Sequence, residues 1–431
     1  MGLALFFVVF LGAFALGFPI AFAMVMGGFT YFITAGVSLG SFMDVMAIEL
    51  SGKDVLMAVP MFIFAANLMN DTDVTDIIFG FVKQSMGRVR GGLGYANIAT
   101  SIIFAGMSGS EIADVSGIGA IEIKAMMDDG YDGEFASAVT CASATISPII
   151  PPSIPMVIYA MLTGASLGYL FLAGIVPGLL IALLEAGMVY YLSKKRGYPK
   201  GKKYPLKVLW KSFRKSFAAL LAPIILLVGI YGGIFTPTEA AAVLAAYVLV
   251  ISILVYKKMS FKKFKKIIMK TVYSVGFISF MIAAALVVKY VLAREEIPLL
   301  ITNFFIDSGF LDSRFLLLLS TNIMFFVLGM FFDVSVIQLV VIPIMLPLVE
   351  AVGIDLVHFG IITTVNLMLA LDTPPYGQTG YITSALSKTP VSKIFGEMLR
   401  YFIPIEVLGL ILITYFPDIV LWLPRIFGYA G

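Results

Sequence analysis

The chain has one cysteine and one histidine in 431 residues. Cys141 alone cannot close an intrachain disulfide, and Cys141 with His358 cannot assemble a thiolate or imidazole metal cluster. Charge is scarce too: Asp, Glu, Lys and Arg make up 13% of the residues, against about 25% in a soluble domain. None of the four occurs in residues 1–43, 135–184, 216–238, 271–288 or 315–332. Acids are missing between Glu185 and Glu239, and again between Glu239 and Glu295. No Gly-rich phosphate loop of the Walker type is present, which excludes ATP hydrolysis by this chain.

What fills the sequence instead is apolar: 60% of residues are hydrophobic and the mean hydropathy is +1.01. The fold class is therefore an all-α polytopic membrane protein. A spanning helix needs roughly 20 apolar residues, so about 10–12 spanning or half-spanning elements fit. The uncharged N-terminal run has no basic residues ahead of it and no clear small-residue cleavage site, and reads as a retained helix.

Ten basic residues lie from Lys194 to Lys215 and seven lysines from Lys257 to Lys270. In a membrane chain such clusters mark cytoplasmic segments rather than nucleic-acid binding. Leu206, Trp210, Phe213, Phe261, Phe264 and Ile267 alternate with these lysines, a pattern predicting amphipathic arm helices on an anionic leaflet. Residues 216–256 between them predict a helical hairpin broken near Gly232-Gly233 and Thr236-Pro237.

Residues 106–152 and 329–375 share a skeleton at a fixed offset of 223. Gly106-Met107 maps onto Gly329-Met330, Ile121 onto Ile344, Gly130 and Asp132 onto Gly353 and Asp355, Thr140 onto Thr363, and Pro151-Pro152 onto Pro374-Pro375. The recurring residues are chiefly those that interrupt helices. Each copy predicts a re-entrant hairpin with a glycine-marked tip, a Gly/Asp turn, and a helix interrupted at prolines. Non-helical backbone at membrane depth is tolerated only against protein or a water-filled cavity, so the two hairpins and two broken helices should face one another.

The first copy presents Ser108, Gly109, Ser110 and Asp114 at its tip, with Thr140, Ser143, Thr145 and Ser147 before Pro148. The second presents Asp333, Ser335 and Gln338, with Thr363, Thr364, Asn366, Asp372 and Thr373. Hard cations such as sodium favour hydroxyl, carbonyl and carboxylate oxygens, and unwound helix ends release carbonyls. Any one hydroxyl could instead satisfy its own i−4 carbonyl. A carboxylate at mid-bilayer costs about 2.5–3.5 kcal/mol, so Asp114 and Asp333 are expected to have partners or face water. Lys289, Arg294, Glu295 and Glu296 read as a helix-end cluster, from which Arg294 is a candidate for gripping a substrate carboxylate. The string Gly106-Met107-Ser108-Gly109 matches intramembrane serine proteases, but His358 falls beside the Gly353/Asp355 turn, away from the second break. No catalytic residue or enzyme activity is assigned.

The strings from Gly106 to Val115, Thr145 to Pro155, Leu328 to Asp333 and Asn366 to Gly377 resemble the large membrane subunit of tripartite ATP-independent periplasmic (TRAP) transporters, with the sialic-acid branch most similar. The resemblance runs across nearly the whole chain. It implies an inverted-repeat ion-transporter-superfamily fold of the elevator type and sodium-coupled uptake across the bacterial inner membrane. It implies delivery by a periplasmic substrate-binding protein and a separate small four-helix membrane subunit. Residue by residue, it places one sodium ion around Ser108, Ser110 and Ser143 and another around Gly329, Asp333 and Asn366. With the breaks included, Gly109, Thr145 and Asp372 join the sodium candidates, while Ser147, Pro151, Thr373, Pro374 and Arg294 are the substrate candidates. Asp114 is the acid behind the first tip, and Glu111 stands where a small residue is expected. The implied domains are scaffold helices over 1–80, a first transport repeat over 81–193, and arms with a scaffold hairpin over 194–272. A connection over 273–314, a second transport repeat over 315–400 and a C-terminal helix over 401–431 follow. The alternatives are a binding-protein-independent carboxylate/sodium symporter or antiporter of the same superfamily and, more distantly, the serine protease.

Overall fold

A backbone that must satisfy its own hydrogen bonds in lipid becomes helical wherever Gly, Pro or a polar cap does not intervene. The computed structural model describes residues 2–51, 54–72, 74–307 and 313–431, and within them all regular structure is helical apart from an isolated bridge between Arg90 and Lys200. Among the described residues, six helices are long and apolar enough to cross a membrane, including Leu167–Arg196, Phe261–Arg294 and Val334–Ala351.

The first hairpin goes in as Gly92–Ser108, turns at Gly109-Ser110 and returns as Glu111–Ser116 and Ile118–Asp128. Both its ends meet the same lysine-rich loop. The Gly91 N–H donates to the Pro199 carbonyl, and the Tyr131 ring lies 4.6 Å from that of Tyr198. Its neighbour, the first broken helix, runs as Gly133–Ala144 and then Ile154–Thr163, leaving residues 145–153 irregular. It therefore crosses from the lysine-rich face to the opposite one.

The second copy is inverted. Its hairpin, Arg314–Gly329 and Val334–Ala351, has both ends on the face opposite the lysines, where Arg314 and Gly353 line one surface cavity with Ala165 and Ser166. The second broken helix, Leu356–Leu371 and Gln378–Ser387, descends to the lysine-rich face, where Thr389 lies against Gly133. Gly130 (φ +90°) and Gly353 (φ +66°) make the equivalent turns in left-handed backbone, which glycine adopts without steric cost. The broken helices cross over between copies. Ile154–Thr163 packs on the returning limb of the second hairpin, and Gln378–Ser387 packs on the returning limb of the first.

Three features differ from the sequence reading. The lysine-rich flanks are not separate arms: each is the start of one continuous helix, Leu206–Tyr231 and Phe261–Arg294, 26 and 34 residues long. Nothing between Lys215 and Ala219, or between Lys270 and Tyr273, stops a helix, so the polar and apolar parts propagate as one rod. The expected boundary at 272/273 consequently falls inside Phe261–Arg294, as those at 80/81 and 193/194 fall inside Val74–Met86 and Leu167–Arg196. The C-terminal segment is two helices, Ile403–Tyr415 and Pro417–Ile426, parted at Phe416. The break between Tyr231 and Pro237 lies where expected, closed by a capping box in which Thr236 and Glu239 satisfy each other's backbone N–H groups.

Candidate functional site

The first tip forms because Gly109 takes a left-handed conformation (φ +60°) while Ser110 caps the next helix, accepting from the Ala113 N–H at 3.4 Å. A Cβ on Gly109 would meet the Pro152 carbonyl, so the tip sits directly on the proline-rich break. Ile154 N–H donates back to the Gly109 carbonyl at 3.5 Å. Among the described residues the Ser108 hydroxyl bonds only with Ser110, lying 3.3 Å from both its backbone nitrogen and its carbonyl oxygen.

Behind the tip a buried polar network joins both limbs of the hairpin to the broken helix. Ser147 donates to Asp114 Oδ2 (2.7 Å), Ser101 to Ser143 Oγ (3.2 Å), Ser143 to Asn97 Oδ1 (2.5 Å), and Asn97 Nδ2 to Thr140 Oγ1 (2.7 Å). The structure thus groups Ser143 with Asn97 and Ser101 by direct hydrogen bonds, and Ser147 with Asp114. Ser108 and Ser110 make their own bonds at the tip. Thr145 spends its hydroxyl on the Ala142 carbonyl (2.7 Å).

The second copy repeats the plan with different residues. Asn366 Nδ2 donates to both Oδ1 (2.8 Å) and the carbonyl (2.9 Å) of Asn322 on the ingoing limb, leaving its own buried Oδ1 unpartnered. Gly329 lies against Ala370 and Leu367 of the broken helix, with no room for a side chain. Asp333 is exposed and caps Val334–Ala351 through the Ser335 N–H (2.9 Å). Asp372 is buried at the second break and accepts from the Thr379 hydroxyl. Thr373 bonds the Leu369 carbonyl at 2.8 Å. Pro151-Pro152 and Pro374-Pro375 occupy equivalent places in the two breaks, and both peptide bonds are cis.

Arg294 is not brought to the breaks. It ends the Phe261–Arg294 helix, far along the chain from the lysine-rich start of that helix, and donates to the Tyr290 hydroxyl at 3.1 Å. His358 is engaged elsewhere, its backbone N–H donating to the Asp355 cap and its Nε2 lying 2.9 Å from the Ile413 carbonyl, so it forms no dyad with Ser108. On the lysine-rich face Arg196 pairs with Glu397 (2.5 Å) and Asp132 (3.5 Å), and Tyr198 donates to Asp132 (2.5 Å). Burial and the Asp132 carboxylate push the Tyr198 phenol up, keeping it a neutral donor.

Sequence reasoning missed Asn97, Ser101 and Asn322, which hold the first halves of the broken helices to the hairpins. It also missed Glu185 and Glu406, which are fully buried in the same core. A lone acid inside an apolar span is a detectable signal, and Glu185 directly follows the uncharged run 135–184. Hydroxyls and amides in membrane helices carry no comparable signal.

A family model described as "Tripartite ATP-independent periplasmic transporter, DctM component" matches residues 7–419. The Vibrio cholerae sialic acid TRAP transporter large permease protein SiaM is 36% identical over 421 residues, 97% of this chain and 98% of that protein. The Haemophilus influenzae sialic acid TRAP transporter permease protein SiaT is 38% identical over 371 residues; the match spans 86% of this chain and 60% of that longer protein. A C4-dicarboxylate TRAP transporter large permease protein, DctM of Vibrio cholerae, is 34% identical over 447 residues, covering 99% of this chain and 98% of its own length. Among solved structures, the Alcanivorax borkumensis YdaH transporter superposes with a TM-score of 0.64 at 13% identity, over 91% of this chain and 89% of that one, a likeness of fold. These are transporter permeases rather than enzymes, and with its mirrored hairpins and broken helices this chain belongs to the DctM family of TRAP transporter large permeases.

Proposed function

We propose that this permease carries out sodium-coupled uptake of a carboxylate-bearing solute, sialic acid in the first instance, across the bacterial inner membrane by an elevator motion. The observation that carries the reading is the inverted pair of breaks, each lined by buried hydroxyl, amide and carboxyl oxygens that have no basic partner among the described residues. One sodium ion is assigned to the first tip and its network, drawing on Ser108, Gly109, Ser110, Ser143 and Thr145. A second is assigned to Gly329, Asp333 and Asn366, with Asp372 beside it. These donor types suit a hard cation, which accepts oxygen ligands of mixed kind. Asp114 orients the first set through Ser147. Substrate would lie between the tips and the breaks, against Ser147, Pro151, Thr373 and Pro374. Arg294 is left as a contact reached only from the exposed end of its helix.

In this reading sodium orders the tips and fills a negative, oxygen-lined site, which lets the loaded core slide against the Leu206–Tyr231 and Phe261–Arg294 helices. A small four-helix membrane subunit completes the scaffold and a periplasmic binding protein delivers solute. The names of the sialic acid relatives support the solute; the C4-dicarboxylate relative keeps a second carboxylate class in the test. Proteoliposomes containing the permease with both partners should take up labelled sialic acid under an inward sodium gradient. Equal uptake after replacing sodium with choline would falsify the coupling. Uptake without the binding protein would instead favour a self-sufficient carboxylate/sodium symporter or antiporter of the same superfamily.

A further inference from the structure

Glu185 and Glu406 are among the buried carboxylates that fall outside both breaks and outside the mechanism above. Glu185 is on Leu167–Arg196 and Glu406 on Ile403–Tyr415, two helices that run antiparallel and pack together. Gly409 lies against Ile181 and Leu184 with no space for a side chain between them. One turn toward the lysine-rich face, the same two helix faces carry Glu185 and Glu406, which puts the carboxyls opposite each other. Both residues are 0% exposed, and all four of their oxygens lack a hydrogen-bond partner among the described residues. Among the described residues neither belongs to an ion pair, whereas Glu397, just ahead of the same C-terminal segment, is held by Arg196.

The other titratable groups facing the pair are acids as well, and none is a base. Asp372 acts on both from the end of Leu356–Leu371, and Glu111 faces Glu406 from the first hairpin. His358, on the same neighbouring helix, is committed to the Ile413 carbonyl far toward the opposite face. Isolated carboxylates in a medium this apolar cannot both stay charged without a compensating cation. The hydroxyl and amide oxygens that surround a cation at the breaks are not bonded to this pair among the described residues. The compensating ligand that needs no such cage is a proton.

We propose that Glu185 and Glu406 together bind an exchangeable proton, forming a proton site in the core distinct from the two breaks. One carboxyl of the facing pair carries the proton as an O–H, so the pair holds a single negative charge instead of two. Asp372, which acts on both carboxyls, adjoins the second break, where Pro375 and Tyr376 are exposed. The proposal goes beyond sodium coupling and does not depend on it.

Infrared spectroscopy of the purified full chain, stepped between about pH 5 and about pH 9 to span the range of shifted carboxyls, tests it directly. The wild type should show a carboxylic-acid C=O band that titrates and shifts in deuterated water. Glu185→Gln with Glu406→Gln should remove that band, and a sodium-for-choline swap should leave it in place. Should the double amide variant fail to fold, Glu406→Asp keeps the acid and should displace the band without abolishing titration. A wild-type band that does not titrate, or one unmoved by these substitutions, overturns the assignment.

Discussion

At the residue scale, Asp114 is the acid with the most to lose. It is 1% exposed and accepts from Ser147, tying the returning limb of the hairpin to the first break. Asp114→Asn keeps the shape and removes the charge. A hydrogen bond to a charged group contributes about 1.5–3 kcal/mol, so the variant should bind sodium roughly ten- to hundredfold more weakly while remaining folded. Sodium-dependent uptake against sodium concentration measures this; an unchanged half-saturating concentration removes Asp114 from the site. Gly109→Ala should fail differently. Left-handed backbone costs a residue with a Cβ about 1–2 kcal/mol, and here the added carbon also meets the Pro152 carbonyl. The expected outcome is a lower melting temperature together with lost uptake. Both residues were legible in the sequence, because a glycine and an acid are conspicuous inside apolar chain. Ser143 was legible only as a member of a set. That it pairs with Asn97 rather than with Ser108 depends on helix rotation, which the offset of 223 does not encode.

At the element scale the breaks were readable and the rods were not. Gly109-Ser110, the 148–152 prolines, Asp333 and the 372–377 segment each carry a cap or a residue that cannot continue a helix, so both copies appear where their punctuation stands. The lysine-rich flanks carry composition without punctuation. Composition places them at an interface but cannot say that they continue unbroken into Leu206–Tyr231 and Phe261–Arg294. The Thr236–Glu239 capping box shows what a true boundary looks like. Thr236→Ala should destabilise Pro237–Val250 by about 1 kcal/mol, read as a modest fall in melting temperature with uptake retained. Arg196 joins three elements through Glu397 and Asp132. Glu397 is 7% exposed, and stranding a buried charge costs about 3–5 kcal/mol. Arg196→Ala should therefore lower the melting temperature far more than Thr236→Ala; equal effects would show that the network adds little.

At the scale of the whole molecule, the two copies are one plan inserted from opposite faces. Inversion was inferable from sequence only as an analogy, since an offset records repetition and not direction. Direction comes from the ends: the first hairpin opens onto the loop at 197–204, the second onto the cavity bordered by Arg314 and Arg425. The lysine-rich face should be cytoplasmic. In a Cys141→Ser background, a cysteine at Lys203 should react with an impermeant maleimide only from inside the cell, and one at Asp418 only from outside. Labelling of both from the same side would break the inverted arrangement.

The central claim is that the two breaks hold sodium, and ligand linkage tests it without any partner or transport assay. A ligand that binds only the folded state stabilises by about 2.7 kcal/mol at a hundred times its dissociation constant. The melting temperature of the purified permease should therefore rise as sodium chloride is titrated against choline chloride at constant ionic strength. Ser143→Ala combined with Asn366→Ala should abolish that rise. An equal rise in choline, or an undiminished one in the double variant, contradicts the account.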